Sequence, residues 1–312
     1  MTDQLPSSVL FPVSGLTSQS YSGISYHRSD GCTGDPLQDP AMALLLKECP
    51  PTSGKVLIVE GGCGALAGGC LNHCDFLEVY NSSYENYCCF ANTLALSNSP
   101  IPVKNIPIDL PTLNKDREST FDFVLFRIIP GTAFLNAALS VAHFYLKPKG
   151  NLILCGHKKE GIKSLEKRAK KLFGNNSTLQ AKSHCRLALF QKQQSDTSVD
   201  YLADYQAAYT HSLSAHNISF DYISKPGIFS CKRTDPGTQL LAEQFPDFSN
   251  KKVLDLACGS GVLGILAAKL GAVAVTALDN NITAIQTAEQ NFKTLVTTED
   301  CKWNVLHSSI YC

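Results

Sequence analysis

The chain has 312 residues, 44% hydrophobic and 17% charged, with 27 basic against 27 acidic side chains. That length suits about two domains of ordinary soluble composition, and zero net charge excludes a chain-wide electrostatic attraction to nucleic acid. No run of about 18 uncharged apolar residues offers a membrane-spanning helix, and MTDQLPSSVLFP lacks the basic start and apolar core of a signal peptide. The 13 cysteines are odd in number and lie in apolar contexts such as Cys155 and Cys258, so reduced thiols and a cytoplasmic location are expected. The tightest group, Cys70, His73 and Cys74 with Cys88 and Cys89 nearby, supplies one C-x3-C rather than two C-x2-C pairs. Buried small residues are expected there, and no metal.

In chain order, KVLIVEGGCG (55–64) reads as an apolar strand entering a glycine turn, followed by a strand and the helix-like ENYCCFANTL. Residues 97–118, rich in Pro, Asn and Asp, read as an irregular connection. FDFVLFRII (121–129) is a buried-strand run, and TAFLNAALSVAHFYL (132–146) has helical spacing that ends at a KPKG turn. NLILCG (151–156) is a strand, KKEGIKSLEKRAKKLFG (158–174) a basic amphipathic helix stopped by Gly174, and HCRLALFQ (184–191) a final strand. Between residues 157 and 192 ten basic residues (Lys158, Lys159, Lys163, Lys167, Arg168, Lys170, Lys171, Lys182, Arg186, Lys192) face two acids, Glu160 and Glu166. That excess fits a phosphate-binding surface or a solvated helix face.

The most informative segment is KVLDLACGSGVLG (252–264), an apolar strand ending in a glycine turn that opens a helix. Such a turn brings backbone N–H groups close to a polar ligand. Gly259, Gly261 and Gly264 also satisfy G-x-G-x-x-G, the dinucleotide fingerprint. Two carboxylates decide between ligands. Asp255 lies inside the strand, four residues before the first glycine. An acid there repels a pyrophosphate but attracts S-adenosylmethionine, which has a sulfonium and an ammonium and no phosphate. Asp279 ends the next apolar run, VAVTALD, about 20 residues on, where an acid accepts from ribose hydroxyls of either cofactor. Asp255 therefore tips the choice to S-adenosylmethionine over NAD. Asn280 and Asn281 read as N-cap residues of the helix that follows.

The chain repeats itself. Residues 55–64 match 252–261, with Gly62 on Gly259 and Gly64 on Gly261, and the offset drifts only from 197 to 199 residues through the following helix. This is the mark of a duplicated α/β domain. In the first copy Ile58 replaces Asp255, and Tyr80 or Asn81 replaces Asp279. The first copy is expected to keep the fold and not to bind the cofactor.

This layout, with GIFSCKRTDPGTQLL (227–241) upstream of the acidic glycine loop, resembles the bacterial ribosomal RNA guanine-N2 methyltransferases with duplicated domains. DPLQDPAMALLLK (35–47) and the basic helix followed by CRLALF are similar to that family too, the first domain being closer to its large-subunit branch. The resemblance implies an α/β chain with two tandem Rossmann-like class I methyltransferase domains. It divides into a tail (1–20), a degenerate domain for RNA recognition (21–192), a linker (193–204) and a cofactor-binding domain (205–312) incomplete after about its third strand.

The resemblance further implies that Asp255, Cys258, Gly259 and Gly261 line the methionine and ribose side of S-adenosylmethionine. Asp279 holds the ribose hydroxyls, Asp235 and Gly237 close the pocket, and Ser308 or Ser309 lies nearest the adenine. Lys158, Lys159, Lys163, Lys167, Arg168, Lys170, Lys171 and Arg186 become the RNA-binding set. Ribosomal RNA or a ribosomal subunit is the implied partner of a monomeric chain. The family's Asn-Pro-Pro-aromatic tetrad, which grips the guanine amine and stacks on the base, has no counterpart in this sequence, so no catalytic residue is assigned. A fragment or interrupted frame is the expectation. The alternatives are a non-catalytic RNA-binding or assembly protein, and a methyltransferase of a protein or small molecule.

Overall fold

The computed structural model describes residues 15–97, 99–175, 177–193, 202–297, 299 and 301–308. They fall into two compact units, one up to residue 204 and one from residue 205.

The first unit opens with a hairpin, β1 (Thr17–Tyr21) and β2 (Ile24–Arg28), turned by Ser22 and Gly23, both left-handed. Then come α1 (Pro40–Glu48), β3 (Lys55–Val59), α2 (Ala65–Cys70), β4 (Phe76–Tyr80), α3 (Tyr84–Leu96), β5 (Val103–Ile106) and β6 (Phe121–Arg127). α4 (Thr132–Tyr145), β7 (Leu146–His157), α5 (Ile162–Phe173), β8 (Ser177–Lys182) and β9 (Cys185–Gln191) complete it. The sheet order is β5-β4-β3-β6-β7-β9-β8, parallel except where β9 pairs with β7 and β8. Val56, Leu57, Ile58 and Val59 are all fully buried, as a central parallel strand covered on both faces requires. Asp39 starts α1 by accepting from the N–H groups of Ala41 and Met42, with Pro40 at the first helical position.

One expectation is corrected and one refined. The stretch 97–118 is not wholly irregular: it contains β5 and a short 3-10 turn at Lys115–Arg117. β5 is a four-residue edge strand flanked by Pro102 and Pro107, and edges tolerate the missing N–H donors that hide such a strand from a pattern search. The helix α4 does end at KPKG, after Tyr145, but the KPKG residues lie inside the strand that follows rather than in a free turn. Leu146 pairs with Phe121 and Asn151 with Phe123, so residues 147–150 bulge out within β7, with Lys149 left-handed at φ 67.

The second unit repeats the plan. It contains α6 (Ala203–Gln206, whose first two residues lie before the division), the hairpin β10 (Tyr209–Ala215) and β11 (Ile218–Ser224), α7 (Pro236–Glu243), β12 (Lys252–Leu256), α8 (Val262–Lys269), β13 (Ala274–Asp279), α9 (Ile282–Leu295) and β14 (Lys302–His307). Among the described residues its main sheet has three parallel strands, β12-β13-β14. The repeat extends beyond the matching sequence. In each unit a hairpin strand is tied to the helix after the second β-strand: the His27 N–H donates to Thr93 Oγ1 on α3 at 2.8 Å, and the Ile223 N–H to Asn291 Oδ1 on α9 at 2.9 Å. The copies differ at the sheet edge. β12 is an edge strand among the described residues, with Leu254 60% and Leu256 53% exposed, whereas their counterparts Leu57 and Val59 are buried.

No disulfide joins the described cysteines, and no described helix is long and apolar enough to cross a membrane.

Candidate functional site

The two glycine turns have the same backbone. Glu60, Gly62 and Gly64 have φ of 59, 60 and 96°, and Ala257, Gly259 and Gly261 have 59, 55 and 77°. All six are left-handed, a region that side chains other than glycine's enter at a cost. Pairing register also decides which residue replaces Asp279 in the first copy. Val59 pairs with Tyr80 as Leu256 pairs with Leu278, so Asn81 is the counterpart.

In the second unit the turn is held by the two carboxylates singled out from the sequence. Asp255 Oδ2 accepts from the N–H of Gly264, in the first turn of α8, at 2.9 Å. Asp279 Oδ2 accepts from the Gly259 N–H at 2.9 Å, and its Oδ1 from the Asn281 N–H at 2.8 Å. Two acids thus converge on one loop from adjacent strands, β12 and β13. Gly261 caps α8, and its N–H donates to the Cys258 carbonyl at 2.8 Å. Asn291 holds the loop from behind, its amide donating to the Ser260 carbonyl at 2.9 Å.

Beside the loop lies a crevice of about 130 Å3 whose lining includes Asp235, Asp255, Cys258 and Gly259. Asp235 is the N-cap of α7, Oδ2 accepting from Thr238 N–H at 3.0 Å. Gly237 is not in the lining; a Cβ there would sit 3.0 Å from Asp235 Oδ2, so glycine leaves the cap room. Ser308 reaches the site through its backbone, donating to the Asp279 carbonyl at 3.0 Å; Ser309 lies outside the described residues. Asn281 is the N-cap of α9, accepting from Ala284 N–H, and its amide donates to the Gly227 carbonyl at 2.8 Å. It thereby ties the GIFS segment to the loop. Phe229 (78% exposed) and Arg233 also line the crevice. Both lie inside GIFSCKRTDPGTQLL but outside the expected site residues; in sequence the signal for Phe229 is an aromatic beside a polar, basic stretch, and its exposure shows only in the structure.

The chemistry fits a cationic nucleoside cofactor. Burial pushes the Asp255 carboxyl up to about 6; the Gly264 N–H opposes this and Asp279 adds to it. A ligand bearing positive charge supplies what the site lacks, and at Gly259 a Cβ would meet only Ile228 Cγ2, at 3.7 Å, so the turn is open to close approach. A pH dependence follows. The folded carboxyl titrates at about 6 against an ordinary value of 3.8, so its favourable contribution is complete below pH 3.8 and is lost as pH rises through 6. The loss is about 2 kcal/mol after allowance for partial exposure. Denaturant titrations at pH 4.5 and 8 should show this slope in the wild type, and Asp255→Asn should flatten it.

The basic set of the first unit is less uniform than its sequence. Lys158, Lys159, Lys163, Lys167, Lys170 and Lys171 are exposed. Arg186 is engaged in a two-point ion pair with Glu166, Nε to Oε1 at 2.8 Å and Nη2 to Oε2 at 2.9 Å. Arg168 donates to Ser164 Oγ at 3.0 Å, and Lys192 is buried with Nζ on the Leu146 carbonyl at 2.8 Å.

Residues 219–311 match the family model of the methyltransferase small domain. The chain is 29% identical over 231 residues to the ribosomal RNA small subunit methyltransferase C of Colwellia psychrerythraea, covering 69% of this chain and 63% of that one. It is 31% identical over 197 residues to the protein of the same description from Shewanella sediminis, covering 61% and 54%. The chain thus spans less than two thirds of either relative. A solved T. thermophilus 16S rRNA N2 methyltransferase, in complex with AdoMet and guanosine, superposes over 94% of this chain and 75% of its own, with a TM-score of 0.74 and 23% identity. That likeness establishes the fold: an α/β chain of two methyltransferase-like units.

Proposed function

We propose that this chain, a member of the duplicated-domain family of bacterial ribosomal RNA guanine-N2 methyltransferases, binds S-adenosylmethionine in its second unit and serves methylation of a ribosomal RNA guanine. The observation that carries this reading is the contrast between the two turns: same backbone, but only the second keeps Asp255 and Asp279 on it. In this reading Asp279, which holds the loop through Gly259 and Asn281, accepts from the ribose hydroxyls as well. Asp255, Cys258, Gly259 and Gly261 form the side facing the charged methionine end, Asp235 with Gly237 shapes the rim, and Ser308 stands on the adenine side. Arg233 joins them as a partner for the ligand's carboxylate. When bound, S-adenosylmethionine would supply a sulfonium methyl group for the guanine amine, the sulfur keeping the electron pair of the broken S–C bond and the nitrogen giving up a proton.

Lys158, Lys159, Lys163, Lys167, Lys170 and Lys171 form the RNA-facing surface, with Arg168 at its margin and Arg186 stabilising α5 through Glu166. Reversing Lys167 and Lys170 to Glu should weaken RNA binding and lower the slope of log affinity against log salt by about 1 to 2. Filter binding across a salt series measures this; an unchanged slope would remove α5 from the interface.

Ribosomal subunits and bare ribosomal RNA incubated with methyl-labelled S-adenosylmethionine test the reaction, with N2-methylguanosine expected in the nucleoside digest. The absent Asn-Pro-Pro-aromatic tetrad favours a second reading, an RNA-binding chain that holds the cofactor without transferring from it. Cofactor binding with no labelled RNA would select that reading.

A further inference from the structure

The first unit has its own crevice at the reversal of its strand order, where β3 and β6 lie side by side. Ligands of open α/β sheets bind at that position. Its volume is about 410 Å3, against about 130 Å3 in the second unit. Ile58 and Asn81 have removed the acid pair suited to a sulfonium, yet the crevice has not been filled, and Asp35, Asp39, Glu60, Arg127 and Glu160 still line it.

Glu60 is among its lining residues, at the position of Ala257 and in the same left-handed conformation at φ 59. It is only 4% exposed. Its Oε1 accepts from the Ser82 N–H at 3.3 Å, and burial pushes its carboxyl up to about 7. A strained, buried, ionisable residue in the wall of a crevice is costly, and such features gather where ligands bind.

Arg127, at the end of β6, lines the same crevice with every N–H committed. Nε and Nη2 donate to Asp39 at 2.8 and 3.0 Å, Nη1 and Nη2 to Glu160 at 2.7 and 2.8 Å, and Nη1 also to the Ile128 carbonyl. A guanidinium held at all its edges has no donor left for a ligand. It can offer its planar face, a surface on which nucleobases stack. The lining continues to His157 and Glu160, whose turn carries the exposed Lys158 and Lys159.

We infer that this crevice is a nucleobase pocket taking a guanine extruded from RNA, its face on Arg127 and its N–H edge on the Glu60 carboxylate, with Lys158 and Lys159 on the flanking phosphates. Guanine suits the site because its pairing edge offers two adjacent donors, whereas adenine offers one donor beside an acceptor. That the base comes from RNA rests on the ribosomal RNA reading above; the pocket does not.

The test is photo-crosslinking of 6-thioguanosine, free and within a short single-stranded RNA, to the full chain, with adducts mapped by peptide mass spectrometry. Adducts are expected within 32–41 or 127–130, competed by guanosine about tenfold better than by adenosine. E60Q should lower the yield about tenfold. Pro130→Trp, at an exposed lining position, should do the same by filling the mouth, each variant being checked for an unchanged melting curve. Adducts confined to residues 205–308, yields untouched by both variants, or competition by S-adenosylmethionine would overturn the pocket. Equal yields from free nucleoside and RNA would overturn the RNA source. RNA retention measured in parallel separates the two claims: RNA that binds without these adducts defeats the pocket alone, and adducts from the nucleoside with no RNA retention defeat the RNA reading alone.

Discussion

Replacing Gly261 with valine is expected to destabilise the second unit by about 3–5 kcal/mol and to abolish S-adenosylmethionine binding. Gly261 caps α8 at φ 77, and a Cβ there would come within 3.0 Å of Phe292 Cε2 and 3.1 Å of Ala288 Cβ. Both atoms belong to α9, which Asn291 fastens to the same loop through Ser260, so the helix cannot retreat without moving the turn. A β-branched residue adds its own aversion to positive φ. Denaturant unfolding, read beside a cofactor titration, measures both effects. A G261V chain of wild-type stability that still binds cofactor would show that the turn is not the site.

The second large effect is expected at Asp279. Asp279→Ala removes the acceptor of both the Gly259 and Asn281 N–H groups and the carboxylate proposed to hold the ribose. Two charge-assisted hydrogen bonds to a ligand of this kind amount to about 3 kcal/mol, or about a 100-fold loss of cofactor affinity. Asp279→Asn keeps one acceptor and should lose less. Calorimetric titration of the two variants measures the loss, and a denaturant melt of each separates it from general loosening of the loop, which would lower stability in step with affinity.

Much of this was legible in the residues, for a physical reason. The acid–glycine turn is local: four residues fix Asp255 against Gly259, and the strand after it delivers Asp279. The duplication was visible because both turns need glycine at the same left-handed positions, Gly62 and Gly259, Gly64 and Gly261. What escaped was non-local or carried by unusual turns. The hairpins β1–β2, β8–β9 and β10–β11 turn at Ser22-Gly23, Ser183-His184 and His216-Asn217, all with positive φ. None is the Asn-Gly or Asp-Gly pair that marks such turns in sequence. Arg186 counts as a free cation until Glu166, twenty residues away, is found against it. Glu60 looks like an unremarkable acid after a strand; only the backbone shows that it occupies a strained position and stays buried there.

The central claim is that one S-adenosylmethionine site exists per chain, and that the intact acidic turn of the second unit forms it. Isothermal titration of the full chain with S-adenosylmethionine tests it most directly. A stoichiometry of one that disappears in Asp279→Ala is expected; two sites, or a single site that survives that substitution, would rule this out.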